Sequence, residues 1–335
     1  MSPGKRKVTI VGAGSWGTAL GNVFADAGSP VVVWGRDATV VAAIDRKHEN
    51  LKYLPGLPLN PALRATTDLE AALAEAAIVV CSIPTQQIRG LFGPHARLLH
   101  GKVVVNTSKG IEIGTHAGVS AIFRELVPSA AYLVLSGPSF AHEVARRLPT
   151  AVTLASEGKA LASEIQALLF TQYFRAYTSP DVAGVELAGA LKNVIAIASG
   201  MVTGLQLGYN AQAALINRGI AEVVRMARHR GADPLTFLGL SGVGDLILTC
   251  TGPLSRNRRL GVLLGEGKRL DDALATLGGV AEGLYTARSA WELSRALQVD
   301  TPIVEQIYGI LYGDNTPRAA VATLMSRDLR EELEQ

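Results

Sequence analysis

The sequence predicts an α/β fold class, an N-terminal doubly wound parallel sheet followed by an all-helical C-terminal half. Three observations carry this. Short apolar strand candidates alternate with helical patterns from Lys7 to Tyr177; a glycine-rich turn joins the first strand to the first helix; and beyond Asp181 the periodicity is helical with almost no strand signal. The chain has 335 residues, 48% hydrophobic and 18% charged, enough to build two domains rather than one. Pro180 and Asp181 form a helix start, so the boundary is expected between residues 1–180 and 181–335.

Lys7–Val11 is the first strand. It runs into GAGSWG (residues 12–17), followed by a helical pattern over Thr18–Ala27. This is G-x-G-x-x-G in the context that gives it meaning. Gly12 permits a tight turn, Gly14 lets the backbone approach a pyrophosphate, Gly17 lets helix pack on strand, and the helix N-terminus presents unpaired N–H groups. The first half is therefore expected to be a Rossmann-type NAD(P)-binding domain. A second strand, Val31–Trp34, ends at Gly35, Arg36 and Asp37. An acid at this strand end grips the ribose hydroxyls of NAD, whereas an arginine pairs with the 2′-phosphate of NADP. Arg36 favours NADP(H), and Asp37 keeps NAD open.

A helical stretch over residues 38–49 leads to the turn-rich segment Tyr53–Gly56. Helix over Asp68–Ala76, strand over Ile78–Ser82, helix over Gln86–Leu99, and strands over Lys102–Val105 and Tyr132–Leu135 continue the alternation, with Ala151–Ala155 and Tyr173–Tyr177 extending the sheet. Two strand ends are polar: NTSKG (106–110), containing Lys109, and SGPSFAHE (136–143). Ligands of open α/β sheets bind outside the carboxyl ends of strands, so Lys109 and the Gly137 loop are expected to face the nicotinamide end of the cofactor. A surface lysine beside a glycine turn is the alternative for Lys109. His142 has no partner at metal-ligand spacing and reads as a helix-start residue.

In the second half, ELAGALKNVIAIASG (186–200) is apolar at three- and four-residue spacing, and Lys192 is the only charge between Glu186 and Arg218. Desolvation on such a helix lowers the ammonium pKa and makes the neutral amine accessible, as catalytic lysines require; a lysine can equally snorkel to the surface. A helix over Ala211–His229 follows. Asp245, in SGVGDLILTCT (241–251), either caps the following helix or pairs with a buried cation. SRNRR (255–259) is an anion-binding candidate or a solvated basic face. GGVAEG (278–283) is a glycine-rich turn. Thr286–Leu297 and Pro302–Leu311 read as amphipathic helices, with Trp291 a core residue.

Composition narrows the function class. A net charge of +3 suits a protein that handles anions, but no Lys/Arg run is long enough for a nucleic-acid arm, which leaves a small anion as the partner. Cys81 and Cys250 form no disulfide framework and suit a reducing cytosol. Glycines 12, 14 and 17 interrupt any signal-peptide core, and Lys192 and Asn193 break the best candidate for a membrane span. Internal repeats, low-complexity segments and metal-ligand clusters are not evident in the sequence, and no metal is expected.

Taken together, GAGSWGTAL, NxxYLPG (Asn50–Gly56), NTSKGIE, SGPSFAHEVA, ELAGALKNVIAIASG, SGVGDLILTCT, SRNRRLG and VAEG occur in the order found in the bacterial NAD(P)-dependent glycerol-3-phosphate dehydrogenases. The chain resembles that family over nearly its whole length. His142 and Gly252–Leu254 depart from its pattern without displacing a residue expected to carry chemistry. The resemblance implies reversible reduction of dihydroxyacetone phosphate to sn-glycerol 3-phosphate for glycerophospholipid synthesis, in a cytoplasmic homodimer. It implies NADPH contacts at Ser15, Trp16, Arg36, Lys109, Ala141, Arg256, Val280 and Glu282, and substrate contacts at Lys109, Gly137, Ser139, Lys192, Asp245, Ser255, Arg256 and Asn257. Lys192 is similar to the family's proton donor and acceptor. Lys109 would help hold the substrate, and Asp245 would orient Lys192 or a substrate hydroxyl. Two other readings stand beside this one: a two-domain dehydrogenase of another hydroxy acid or alcohol, and a dinucleotide sensor without catalysis.

Overall fold

A computed structural model of the chain describes residues 6–329 and 331–332. The chain forms two compact units, Met1–Ser108 with Val119–Val185, and Lys109–Gly118 with Glu186–Gln335.

The first unit is built on an eight-stranded sheet. Its strands are β1 (Val8–Val11), β2 (Val31–Trp34), β5 (Leu63–Thr66), β6 (Ile78–Cys81), β7 (Val103–Asn106), β8 (Ala131–Ser136), β9 (Thr150–Ala155) and β10 (Phe174–Ser179); β3 (Glu49–Asn50) and β4 (Leu54–Pro58) make a separate antiparallel pair. The order in the large sheet is β10-β9-β8-β7-β6-β1-β2-β5. Strands β1, β6 and β7 are buried at every residue, as apolar runs covered on both faces should be. The chain departs from β1 to β2 on one side and later to β6 on the other, so the strand order reverses at β1. In a doubly wound sheet the ligand crevice lies at this reversal, outside the carboxyl ends of the strands.

The helices of this unit are α1 (Ser15–Asp26), α2 (Ala38–Lys47), α3 (Leu69–Glu75), α4 (Ile88–Phe92), α5 (Val119–Leu126), α6 (Ala141–Ala145) and α7 (Lys159–Leu169). The core runs from Ile10, Leu20 and Phe24 through Val33, Val80 and Val105 to Leu154 and Phe174. Asp37 caps α2 and Asp68 caps α3, each accepting backbone N–H groups of the first turn.

Several elements differ from expectation. The sheet is not parallel throughout: β9 runs antiparallel to β8, with Val134 opposite Ala155 and Ser136 opposite Thr153. The connection between them carries only the five residues of α6 as helix, so the chain turns back at the same sheet end instead of crossing over. The helix expected over Gln86–Leu99 breaks into α4 and flanking 3-10 turns because Pro94 lacks a backbone donor and disfavours helix in the residue before it. The helical stretch ends at Lys47, before Glu49, which opens β3; the segment Tyr53–Gly56, expected as turns, runs into β4; and β5 follows where no element was expected.

The second unit is helical: most of α8 (Val182–Gly204), then α9 (Gly208–Arg228), α10 (Asp245–Thr251), α11 (Arg256–Gly265), α12 (Leu270–Leu277), α13 (Glu282–Leu297), α14 (Pro302–Tyr312) and α15 (Pro317–Met325). Asp181 starts α8 as anticipated, its carboxylate accepting the Gly184 N–H at 2.8 Å. Among the described residues α8 alone is long and apolar enough to cross a membrane, but 89% of its apolar window is buried inside the protein. Its packing is unusually close. A Cβ on Gly200 would lie 2.0 Å from the Arg258 carbonyl oxygen of α11, and one on Gly261 would lie 1.9 Å from the Ile197 carbonyl oxygen. With Gly204 and Gly265 one turn on, glycines on both helices let the backbones touch.

Candidate active site

The dinucleotide motif forms the geometry its spacing predicts. Gly12 has φ +127°, and a Cβ there would meet the Ser82 carbonyl oxygen at 2.2 Å, so only glycine closes the turn. A Cβ on Gly17 would lie 2.0 Å from the Gly12 carbonyl oxygen, which enforces the contact of α1 with β1. Gly14, by contrast, has open space where its Cβ would stand. It is the N-cap of α1 and contributes no side-chain bond, so the first-turn N–H groups have no side-chain partner and face an uncluttered cradle. A pyrophosphate fits such a cradle. Ser15 and Trp16 occupy that first turn, half-buried, with Trp16 packed on the core.

At the end of β2, Arg36 is exposed and makes no ion pair with the described residues. Asp37 is committed: its carboxylate accepts the N–H groups of Thr39 at 3.0 Å and Val40 at 3.3 Å and the Lys52 ammonium at 2.8 Å. At the end of β8, Ser139 Oγ donates to the Gly137 carbonyl at 2.9 Å, and half-buried Ala141 opens α6. His142 points to solvent.

In the helical unit Lys192 is 7% exposed and does not snorkel. Its ammonium donates to Asp245 Oδ1 at 2.7 Å and to Thr249 Oγ1 at 2.7 Å. Lys109 donates to the other carboxylate oxygen, Asp245 Oδ2, at 2.5 Å. One buried carboxylate thus holds two lysines. The Asp245 side chain does not cap α10; the residue opens that helix, and Thr249, one turn on, donates its hydroxyl to the Asp245 carbonyl at 2.6 Å. Burial lowers the Lys192 pKa to about 8, opposed by the Asp245 carboxylate and assisted by Lys109. Burial alone would raise Asp245, but the Lys109 and Lys192 ammoniums outweigh it and hold the carboxyl below its usual range.

Lys109 belongs here because the chain after β7 enters the helical unit as residues 109–118. That segment is held by Ser289 Oγ donating to the Ile111 carbonyl at 3.1 Å, by His116 against Glu292 at 3.1 Å, and by Arg230 donating to the His116 carbonyl.

Around the lysines, Ser255 caps α11 by accepting the Arg258 N–H at 3.2 Å. Asn257 donates to Asn193 Oδ1 at 2.9 Å and accepts the Gly283 N–H at 3.0 Å, so it ties α8 to the start of α13. Arg256 is exposed, and a Cβ on Gly279 would lie 3.1 Å from its guanidinium. Val280 is 44% exposed. Glu282, expected in a turn, is the first residue of α13; burial pushes its carboxyl up to about 7 against the attraction of Arg256, Lys109 and Lys192.

The expected residues therefore fall into two sets. Gly12, Gly14, Ser15, Trp16, Gly17, Arg36, Gly137, Ser139 and Ala141 belong to the first unit; Lys109, Lys192, Asp245, Ser255, Arg256, Asn257, Val280 and Glu282 belong to the second. Lys109, Lys192 and Asp245 are in direct contact. Thr249 and Asn193 escaped the sequence reading, although Thr249 stands four residues after Asp245 and Asn193 follows Lys192. Trp291 stacks on Tyr308 with centroids 4.0 Å apart, and Cys81 and Cys250 are buried and not joined in a disulfide. Among the described residues no group of three or more His, Cys, Asp and Glu side chains is placed to hold a metal ion.

Comparison with known proteins gives a consistent picture. The NAD-dependent glycerol-3-phosphate dehydrogenase N-terminus matches residues 7–162, and the C-terminus of the same family matches residues 181–322. A glycerol-3-phosphate dehydrogenase [NAD(P)+] from Desulfovibrio desulfuricans is 49% identical over 331 residues, covering 98% of this chain and 99% of its own. The enzyme of that name from Myxococcus xanthus is 49% identical over 329 residues, covering 97% and 98%. The crystal structure of glycerol-3-phosphate dehydrogenase from Coxiella burnetii superposes with a TM-score of 0.93 at 37% identity, covering 96% of this chain and 99% of that one. A phosphate-ready glycine turn, a buried two-lysine carboxylate and full-length identity near one half agree, and the chain belongs to the NAD(P)-dependent glycerol-3-phosphate dehydrogenase family.

Proposed function

We propose that the protein transfers hydride reversibly between NAD(P)H and dihydroxyacetone phosphate, giving sn-glycerol 3-phosphate for glycerophospholipid synthesis, and that Lys192 is its acid–base residue. The observation that carries the reading is the desolvated Lys192 ammonium held on Asp245 beside Lys109. Bound NAD(P)H would supply the hydride. Lys192 would meet the substrate carbonyl oxygen, stabilise the negative charge that develops there, and release a proton to it. A pKa lowered to about 8 suits a donor working near neutral pH, since the proton is held yet easily given up. Asp245 and Thr249 fix the direction of the ammonium, and Lys109, on the second carboxylate oxygen, would orient the substrate.

Arg256, with Ser255 and Asn257 at the start of α11, would take the substrate phosphate; in the first unit, Gly137 and Ser139 are assigned to the substrate. For the cofactor we assign Gly12, Gly14, Ser15, Trp16 and Gly17 to the pyrophosphate turn, Arg36 to the adenosine end, and Lys109, Ala141, Arg256, Val280 and Glu282 to further contacts. NADP(H) is the preferred cofactor in this reading, because Arg36 is uncommitted whereas Asp37 is occupied by two N–H groups and Lys52. The same reading gives residues 1–180 to the cofactor and 181–335 to catalysis, and has the protein work as a homodimer in the cytoplasm, where Cys81 and Cys250 stay reduced.

NADPH consumption by purified protein should require dihydroxyacetone phosphate. Turnover of non-phosphorylated hydroxy acids or alcohols alone would instead support a different dehydrogenase, and binding without any turnover a sensor. Lys192→Ala should lower kcat by roughly 10²–10⁴. Retained turnover in that variant removes Lys192 from the chemistry. Arg256→Ala should raise KM for the phosphorylated substrate, and light scattering should return twice the monomer mass.

A further inference from the structure

We propose that Lys52 is a cofactor-specificity residue, which neutralises the Asp37 carboxylate at the end of β2 and so leaves Arg36 and Lys52 as the cations that receive a ribose 2′-phosphate. This rests on the dinucleotide use of the first unit proposed above. The Asn50–Gly56 motif has no other part in that site, yet the fold works to hold it there. Asn50 is 1% exposed, and its amide is fully engaged: Nδ2 donates to the Ala13 carbonyl at 3.1 Å, inside the glycine turn, and to Thr18 Oγ1 of α1 at 2.9 Å, while Oδ1 accepts the Tyr53 N–H at 3.2 Å. The turn between β3 and β4 is thereby anchored on the cofactor loop, and it brings Lys52 to Asp37 at 2.8 Å, with the ammonium 5.5 Å from the Tyr53 ring centroid.

An acid at this strand end distinguishes the two cofactors by charge. Free, it accepts hydrogen bonds from the 2′- and 3′-hydroxyls of NAD and repels the dianion of NADP. Here Oδ1 already accepts the Thr39 and Val40 N–H groups and Oδ2 the Lys52 ammonium, so the carboxylate competes less well for a ribose hydroxyl and its negative charge is offset. Lys52 and Asp37 are 55% and 40% exposed at the side chain, so a phosphate can reach the ammonium. Surface exposure also makes the effect dependent on salt.

The test is a fluorescence titration of the full chain with NADPH and with NADH, at low and physiological ionic strength, for wild type, Lys52→Ala and the double variant Lys52→Ala/Asp37→Asn. Asparagine still caps α2, so the double variant removes only the charge. Lys52→Ala should weaken NADPH binding roughly tenfold, the scale of one charge-assisted contact, and leave NADH within about twofold. The double variant should recover part of the NADPH affinity, and the salt dependence of NADPH binding should flatten in both. Equal weakening of both cofactors would make Lys52 a structural residue and overturn the proposal, as would unchanged NADPH binding or an absence of recovery in the double variant. If wild type binds neither dinucleotide, the cofactor reading itself fails, and the proposal falls with it.

Discussion

Lys192 and Asp245 set each other's charge. Burial strips water from the ammonium and Lys109 repels it, while Asp245 holds it charged, with the balance at a pKa of about 8. The proton-donating form is therefore lost above about pH 8, and kcat/KM for carbonyl reduction should fall on the alkaline side with an apparent pKa near that value. Because three coupled groups titrate together, the limb belongs to the cluster. Asp245→Asn deletes the attraction and keeps the shape, so the falling limb should move to lower pH in a pH–rate profile. An unmoved limb would assign it to another group. Thr249→Val removes one acceptor from the ammonium and should lower kcat more than it raises KM, since the substrate is still bound but the proton donor is less well directed. Lys192 stood out in the sequence because no other charge surrounds it between residues 186 and 218. Thr249 did not, because a threonine in an apolar helix is ordinary until its partner, 57 residues away in the chain, is seen at 2.7 Å.

At the scale of elements, the crossing of α8 and α11 brings Asn257 to the Lys192 helix, where it donates to Asn193. Gly261→Ala puts a methyl 1.9 Å from the Ile197 carbonyl oxygen, and backbone on both sides leaves nothing flexible to yield. Stability should drop by about 1–3 kcal/mol in urea unfolding. Substrate KM should rise as α11 shifts, while NADPH affinity changes less. A second buried carboxylate ties α9 to α14: Glu222 accepts the Ile303 N–H at 2.7 Å and the Val304 N–H at 3.2 Å. Burial raises its carboxyl to about 7, with Asp300 adding to the rise and the two N–H groups and Arg225 opposing it. In the unfolded chain the group titrates near 4.5. Between those values the folded chain holds a proton that the unfolded chain has released. That contribution to stability is complete below about pH 4.5 and lost as pH rises through about 7. Measured as Tm against pH, Glu222→Gln should remove a decline of at most about 3 kcal/mol across that window. The helix start at Asp181 was legible from local sequence, whereas the cap that Asp37 gives α2 was not, since the same acid also reads as a ribose contact; Pro94 is itself the local signal for the break in the helix around it. The reversal of β9 was not, since strand direction depends on which end of the sheet the chain leaves from.

For the whole molecule, the two units offer separate reporters: Trp16 and Trp34 lie in the first and Trp291 in the second. NADPH at about a hundred times its Kd should stabilise what it binds by about 2.7 kcal/mol. In Trp→Phe variants that leave either Trp34 or Trp291 as reporter, the Trp34 transition should move up with NADPH, and a Trp291 transition that moves equally would show that the units unfold together. The sequence by itself determined the α/β class, the glycine turn, the family and the isolation of Lys192. These are local signals, written in periodicity and spacing over a few residues. Only the tertiary structure decided that Lys192 is buried and paired, that residues 109–118 join the helical unit, that Asp245 serves two lysines and that Lys52 occupies Asp37. Each of these depends on groups 15 to 178 residues apart meeting within hydrogen-bond distance, and such contacts are chosen by packing, which no single stretch of chain encodes.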